Sequence, residues 1–191
     1  MPPNGNNNVG ENARDRSEIL GNLFSELEAC LEGSELNNSE EALDIYEWIM
    51  EKDPDFQAAR EFKGWTLLMM GDYDGAITIF KSIKGEATHA IKPNVQLGYA
   101  YALKGDEKKA NYFLNELKEL SIAKPDGEYD LDFATLYTGL KMFDEAFFHL
   151  DKCLAKRLGP IIFINASPIW EPLKSDKRFN NLLKTIGLTK G

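Results

Sequence analysis

A small residue recurs at a nearly constant interval along this chain, and it limits the folds that the chain can adopt. Four alanines, separated by 34, 34 and 36 residues, mark the interval: Ala42, Ala76, Ala110 and Ala146. Twelve residues before each alanine stands another small residue: Cys30, Gly64, Gly98 and Ala134. Four residues after each stands a large one: Tyr46, Phe80, Leu114 and Leu150. An interval of this length is typical of a two-helix unit that is stacked on copies of itself.

Helix packing explains why these residue types recur. A small residue in the first helix of a pair lets the second helix approach closely, while large residues four and seven positions after the alanine continue one apolar stripe. A turn is expected before each of the last three alanines, at Gly71-Asp72, Gly105-Asp106 and Lys141-Met142. Each pair leaves an apolar face that a neighbouring pair has to cover, so the units are predicted to stack.

This pattern resembles the tetratricopeptide repeat. The resemblance covers four repeats, at 23–56, 57–90, 91–124 and 127–160, within a repeat region of residues 17–160. It implies an all-α, superhelical solenoid of about four helix pairs. The second and third repeats match best, the first lacks the turn glycine, and the fourth lacks the tight turn and follows a two-residue insertion.

The two ends of the chain differ from the repeats. Residues 1–16 are rich in Asn, Gly and Pro with almost no apolar side chain, so they are predicted to be a disordered leader. Residues 161–191 are predicted to be a C-terminal capping segment. In it, Ile161–Ile164 would cover the last repeat, and Phe179, Leu182, Leu183 and Ile186 form one amphipathic stripe.

The capping segment carries a motif of its own: Pro172, Leu173, Asp176, Arg178, Phe179, Leu182, Leu183, Gly187 and Leu188. It resembles the C-terminal ends of bacterial signalling proteins in which tetratricopeptide repeats follow a winged-helix regulator, a nucleotide cyclase or a protein kinase. Lys177 replaces the proline that is usual in that pattern. No such head domain is present in these 191 residues, so the resemblance implies at most a regulatory or sensory role.

Charge and composition exclude several classes of function. The net charge of −9 argues against direct binding of nucleic acid. No apolar run approaches the roughly 18 residues that a membrane-spanning helix needs, and two cysteines suit a reducing cytosol, so a cytoplasmic location without membrane association is expected. Residues 1–57 hold 14 acidic and 3 basic residues, whereas residues 152–191 hold 2 and 8. This asymmetry predicts a salt-sensitive homo-oligomer.

The sequence offers no catalytic constellation. His89 and His149 are 60 residues apart, and neither has a cysteine or carboxylate at metal-ligand spacing. The segment Asp72-Tyr73-Asp74-Gly75 lacks the third ligand and the closing Glu of a calcium loop. No phosphate-binding glycine loop and no nucleophile elbow are present. We therefore expect no enzymatic activity, no cofactor and no metal.

Function in such a solenoid is expected in the concave groove, which the first helix of each pair lines. The resemblance assigns to this groove the residues Phe24, Leu27, Leu31, Glu61, Trp65, Met69, Lys92, Val95, Tyr99 and Leu131. The basic residues with which chaperone-binding members of the family hold a C-terminal carboxylate are absent, so an apolar or amphipathic segment is the expected ligand. In this interpretation Trp65, Tyr99 and Met69 anchor the partner, while Glu61 and Lys92 set its register. The alternative is a groove that the chain fills with its own segments.

Overall fold

The computed structural model describes residues 36–83, 92–125 and 128–188, and all regular secondary structure within them is helical. The α-helices are α1 (Leu36–Lys52), α2 (Gln57–Met69), α3 (Tyr73–Ser82), α4 (Pro93–Lys104), α5 (Glu107–Ala123), α6 (Asp130–Gly139), α7 (Phe143–Ala155) and α8 (Lys177–Thr185). Two 3₁₀ helices lie between α7 and α8, namely η1 (Gly159–Phe163) and η2 (Pro168–Leu173). The prediction of an all-α fold is confirmed for these residues. The leader 1–16 lies outside them.

The helices pack largely in the order of the chain. Each helix from α1 to α6 contacts the next one, and α4 also contacts α6. Turns of two or three residues join α2 to α3, α4 to α5 and α6 to α7, and these pairs fall within residues 57–90, 91–124 and 127–160. No helix in the described residues combines the length and apolar composition needed to cross a bilayer.

The turns within these three pairs share one backbone geometry. Gly71 and Gly105 have φ angles of +81° and +84°, and Lys141 occupies the equivalent position with a φ of +59°. The N–H of the next residue then donates to a carbonyl five residues back, at 2.9 Å in all three turns. This Schellman motif ends a helix and reverses the chain. The expectation that residues 127–160 lack the tight turn is wrong, because Lys141 adopts the left-handed conformation that glycine has in the other two turns.

An aspartate follows each of the two glycine turns and starts the next helix. The Asp72 side chain accepts a hydrogen bond from the N–H of Gly75 at 2.9 Å, and the Asp106 side chain accepts one from Lys109 at 3.1 Å. Each aspartate thus satisfies an N–H group that the helix itself leaves without a partner. In the Gly-Asp dipeptide, one residue ends a helix and the next begins another.

The marker positions lie in the core. Ala42, Ala76, Ala110 and Ala146 are all buried, with at most 2% of their surface exposed. The large residues four positions later are also buried: Tyr46, Phe80, Leu114 and Leu150. A continuous apolar cluster runs from Leu68 in α2 to Leu183 in α8, and a second, smaller cluster joins α1 to α2.

The small residues are placed where helices touch. A Cβ atom on Gly64 would lie 2.3 Å from Cε1 of Phe80, and one on Gly98 would lie 2.5 Å from Cδ2 of Leu136 and 2.8 Å from Cβ of Phe113. Gly98 therefore lets α4 pack closely against both α5 and α6. The expectation that Gly98 faces a neighbouring helix too closely for a larger side chain is confirmed.

The C-terminal motif fastens α8 onto the start of α7. Asp176 accepts a hydrogen bond from the N–H of Arg178 at 2.9 Å. The guanidinium of Arg178 then bonds to Asp176 and Asp144, each at 2.7 Å, and lies 4.2 Å from the ring centroid of Phe147. Lys177, which replaces the usual proline, is the first residue of α8, where proline is tolerated because its missing N–H has no helical partner. We call this arrangement the Arg178 clasp.

The other motif residues serve the same packing. Leu173, Phe179, Leu182 and Leu183 are buried, and Gly187 ends the last turn with a φ of +76°. The N–H of Leu188 donates to the carbonyl of Leu183 at 2.9 Å, as in the Schellman turns described above. The motif is therefore accounted for by the way in which the C-terminal segment packs.

The close contact at Gly98 gives a test of the fold. We expect Gly98→Leu to lower the free energy of unfolding by about 1–3 kcal/mol, because the new side chain has to displace Leu136 and Phe113. Gly159→Ala is the matched control, since a Cβ atom there meets nothing within 4 Å. Urea unfolding of both variants measures the difference. Equal stabilities would contradict the packing of α4 against α5 and α6.

Candidate functional site

The predicted groove residues that the structure describes lie on, or directly before, three helices that are each the first of a pair. Phe24, Leu27 and Leu31 lie outside the described residues. Of the others, α2 carries Glu61, Trp65 and Met69, α4 and the residue before it carry Lys92, Val95 and Tyr99, and α6 carries Leu131. The structure brings only part of this set to the surface.

Trp65 lies where three helices meet. Its indole packs edge-on against Phe80 of α3, with ring centroids 5.6 Å apart, and lies 5.8 Å from the ring of Tyr99 in α4. The side chain is half-buried, and Met69, one helical turn later, keeps 38% of its surface exposed. Trp65 and Met69 are therefore both accessible, but Trp65 also belongs to the packing between helices.

Tyr99 is not a surface anchor. Only 4% of the residue is exposed, and its hydroxyl donates to the backbone carbonyl of Ile169 in η2 at 3.3 Å. Burial also raises the pKa of the Tyr99 phenol. Since η2 packs against α6 as well, the chain covers this part of the predicted groove with its own C-terminal segment. The expectation that Tyr99 anchors a partner is wrong.

Val95 and Glu61 are also inaccessible. Val95 is 2% exposed, and Glu61 is fully buried. A carboxylate without contact to solvent cannot set the register of an incoming segment by surface charge, so this role for Glu61 is corrected. Leu131 is half-buried against the main apolar cluster.

Lys92 is held by the chain itself. Its ammonium group forms an ion pair with Asp132, donates to the carbonyl of Glu128 at 3.0 Å, and lies 4.7 Å from the ring centroid of Tyr129. Its backbone N–H also donates to Asp132, at 3.1 Å. Burial raises the pKa of Asp132, which is 1% exposed, and the ammonium of Lys92 opposes that shift. Lys92 thus ties the start of α4 to α6, and the expectation that it sets a partner's register is corrected.

A second cluster of charged groups joins α6 to α7. The Asp130 carboxylate lies 2.8 Å from Nδ1 of His149 and 2.5 Å from Nζ of Lys156, and Lys152 is 3.9 Å away. Burial acts to raise the pKa of Asp130, but the hydrogen bonds from Lys156 and His149 outweigh it, so the pKa is lowered. Asp130 is therefore an ionised carboxylate at neutral pH. We call this arrangement the Asp130 cluster.

His149 is sandwiched among aromatic rings in this cluster. Its imidazole stacks on Phe133 at 4.7 Å and on Tyr137 at 5.7 Å between centroids. Burial lowers the pKa of His149, although Asp130 opposes the shift, and the nearby Lys152 and Lys156 add to it. The imidazole is consequently neutral at physiological pH and serves to join the two helices.

The cluster has no nucleophile of suitable reactivity. Cys153 is fully buried beside it, and burial raises the pKa of its thiol to about 12, so it remains protonated. Cys30, the other cysteine, lies outside the described residues. Within the part of the chain that the structure describes, no three His, Cys, Asp or Glu side chains converge in a way that would hold a metal ion.

Comparisons with protein-family models, with curated proteins and with solved structures give no match to this chain.

Sequence reasoning missed the joining role of the Asp130 cluster. Asp130 and Asp132 lie in the first turn of α6, where a carboxylate already has a local role beside the N–H groups of the helix N-terminus. Their partners are 40 residues earlier for Asp132 and 19–26 residues later for Asp130, so no local spacing identifies them. The one sequence signal for the Asp130 contacts is the repeat interval, which predicts that α6 and α7 pack as a pair.

The Asp130 cluster predicts a pH dependence of stability. Because the folded-state pKa of His149 lies below its unfolded value near 6.5, the unfolded chain binds the proton more strongly, and stability falls as pH drops from about 7.5 through the folded pKa. NMR titration of the imidazole is expected to give a pKa below 6.5, and Asp130→Asn is expected to lower it further. The chain has two histidines, and His89→Gln assigns the resonances. A His149 pKa at or above 6.5 would contradict the arrangement.

Proposed function

We propose that this chain is a non-catalytic, tetratricopeptide-like interaction module that binds an apolar or amphipathic segment of another protein. The observation that carries the proposal is a repeated arrangement along the chain. Four buried alanines lie 34–36 residues apart, and the same left-handed turn precedes each of the last three. Repeats of this kind are two-helix units that use one face for stacking and another for binding.

The binding surface in this proposal is smaller than the full groove. Tyr99 and Val95 are buried, and Lys92 is ion-paired within the chain, which leaves the accessible side of α2 with Met69 and Trp65. A thioether beside an indole adapts to apolar side chains of varied shape, which suits an amphipathic helix as the ligand.

A regulatory or sensory role in a bacterial signalling system is the second candidate. The Arg178 clasp favours it, because the residues that resemble the C-terminal ends of such proteins act together in one place. Each of these residues has a packing role, so the clasp supports a shared type of C-terminal packing more directly than a shared activity.

Site-specific photo-crosslinking tests the proposal. A photoreactive amino acid placed at position 69, in cells that make this chain naturally, is expected to capture one partner protein. The same amino acid at position 122 is the control, since Ile122 is 80% exposed on α5, the second helix of its pair. Equal capture at both positions, or capture only of another copy of the chain, would contradict the proposal.

A binding measurement with the captured partner then assigns the surface. Met69→Ala is expected to weaken binding by about tenfold or more, because it removes an exposed apolar contact while leaving the core intact. Trp65→Ala is less suitable, since it also removes the contacts with Phe80 and Tyr99. Unchanged affinity of Met69→Ala would exclude α2 as the binding surface.

A further inference from the structure

Opposite charges are concentrated on the first and last parts of the described chain. Residues 36–56 contain seven acidic residues and one lysine, whereas residues 152–188 contain seven basic and two acidic residues. Charge of this kind steers association only where it lies on the surface and is not neutralised within the chain. Five of these seven acidic residues lie in α1, and three of these seven basic residues lie in α8. The surfaces of these two helices are therefore considered in turn.

The outer face of α1 combines carboxylates with an exposed indole. Glu41, Asp44, Trp48 and Glu51 follow one another at intervals of three, four and three residues, so they share one side of the helix, and all are exposed. Trp48 has 48% of its surface exposed at the centre of this stripe. An indole surrounded by carboxylates, on the side of α1 away from its buried residues, forms a surface that we call the acidic face.

The outer face of α8 has the opposite sign. Lys177, Asn181 and Lys184 lie at intervals of four and three residues on one side of the helix, and all are exposed. Leu188, just beyond the helix, adds an apolar side chain that is 46% exposed. Arg178 points elsewhere, since it is held by Asp176 and Asp144 in the clasp. We call the exposed side of α8 the basic face.

The two faces belong to opposite ends of the packing order. α1 packs on α2, whereas the Arg178 clasp ties α8 to α7. The helices between α1 and α8 contact one another in chain order, so the acidic face and the basic face lie on helices that pack on different partners. Two different but complementary patches on one chain make a heterologous contact, which repeats from copy to copy.

We propose that the acidic face of α1 in one copy docks on the basic face of α8 in a second copy, so that chains associate head to tail. Exposed ion pairs contribute little individually, so the affinity depends on covering Trp48, while the charges set orientation and rate. Salt weakens the contact, because the screening length falls from about 10 Å at 0.1 M to about 3 Å at 1 M. This self-association is independent of the binding surface on α2.

Sedimentation velocity of the full chain gives the first test. At 50 mM NaCl the average mass is expected to rise above that of the 21.6 kDa monomer as the protein concentration increases, and at 1 M NaCl it is expected to return to the monomer value. Trp48→Ala is expected to weaken the association by about tenfold or more. A monomer at low salt and at several hundred micromolar protein would overturn the proposal.

A charge-swap experiment then assigns the faces. Asp44→Lys with Glu51→Lys reverses the acidic face, and Lys177→Glu with Lys184→Glu reverses the basic face; each double variant alone is expected to be monomeric. Mixed together, they are expected to associate again, because each reversed face now meets a face of opposite sign.

Glu119→Lys with Asp151→Lys is the matched control for the charge change, since both positions are exposed on α5 and α7. Thermal melts verify that every variant folds, as surface substitutions should permit. Failure of the mixture to associate, or equal loss in the control, would overturn the assignment.

Discussion

The close contact between small residues and the helices opposite them is the interaction on which this structure depends. Gly64 leaves so little room that a Cβ atom would lie 2.3 Å from the ring of Phe80, and Gly98 is similarly enclosed by Leu136 and Phe113. Such contacts let large side chains from the next helix fill the space beside the backbone, which is how a short two-helix unit forms a dense core. Once this distance is fixed, the buried alanines, the left-handed turns and the order of packing follow from the repeat interval.

The C-terminal segment both completes the core and restricts the site. Its η2 helix receives a hydrogen bond from Tyr99 and packs on α6, and the Arg178 clasp holds the following helix on α7. The C-terminal segment of the chain thus covers part of the apolar surface of α6 and α7. Among the predicted groove residues that the structure describes, Met69 is the one exposed side chain, and Trp65 beside it is half-buried. Two ion-paired clusters join α6 to its neighbours.

The elements that sequence reasoning predicted are those whose signals are local. The alanine interval, the Gly-Asp turns and the small residue at Gly98 each depend on spacings within one or two helices, and these were correct.

The accessibility of side chains was harder to predict, because it depends on contacts far along the chain. Tyr99 is covered by Ile169, 70 residues later, and Lys92 is paired with Asp132, 40 residues later. Tyr99, which the resemblance assigns to a binding surface, is therefore part of the core in this structure. Glu61 shows the same limit, since the resemblance assigned it to the groove surface and the structure buries it.

A double-mutant cycle between Gly64 and Phe80 tests the central contact most directly. Gly64→Ala introduces a Cβ atom against the Phe80 ring, so it is expected to destabilise the wild-type chain. In a Phe80→Leu background the smaller side chain leaves room for that Cβ atom, and the cost of Gly64→Ala is expected to fall, giving a coupling free energy of about 1 kcal/mol or more by urea unfolding. Additive effects of the two substitutions, within about 0.3–0.5 kcal/mol, would contradict the proposed packing between the helices of each pair.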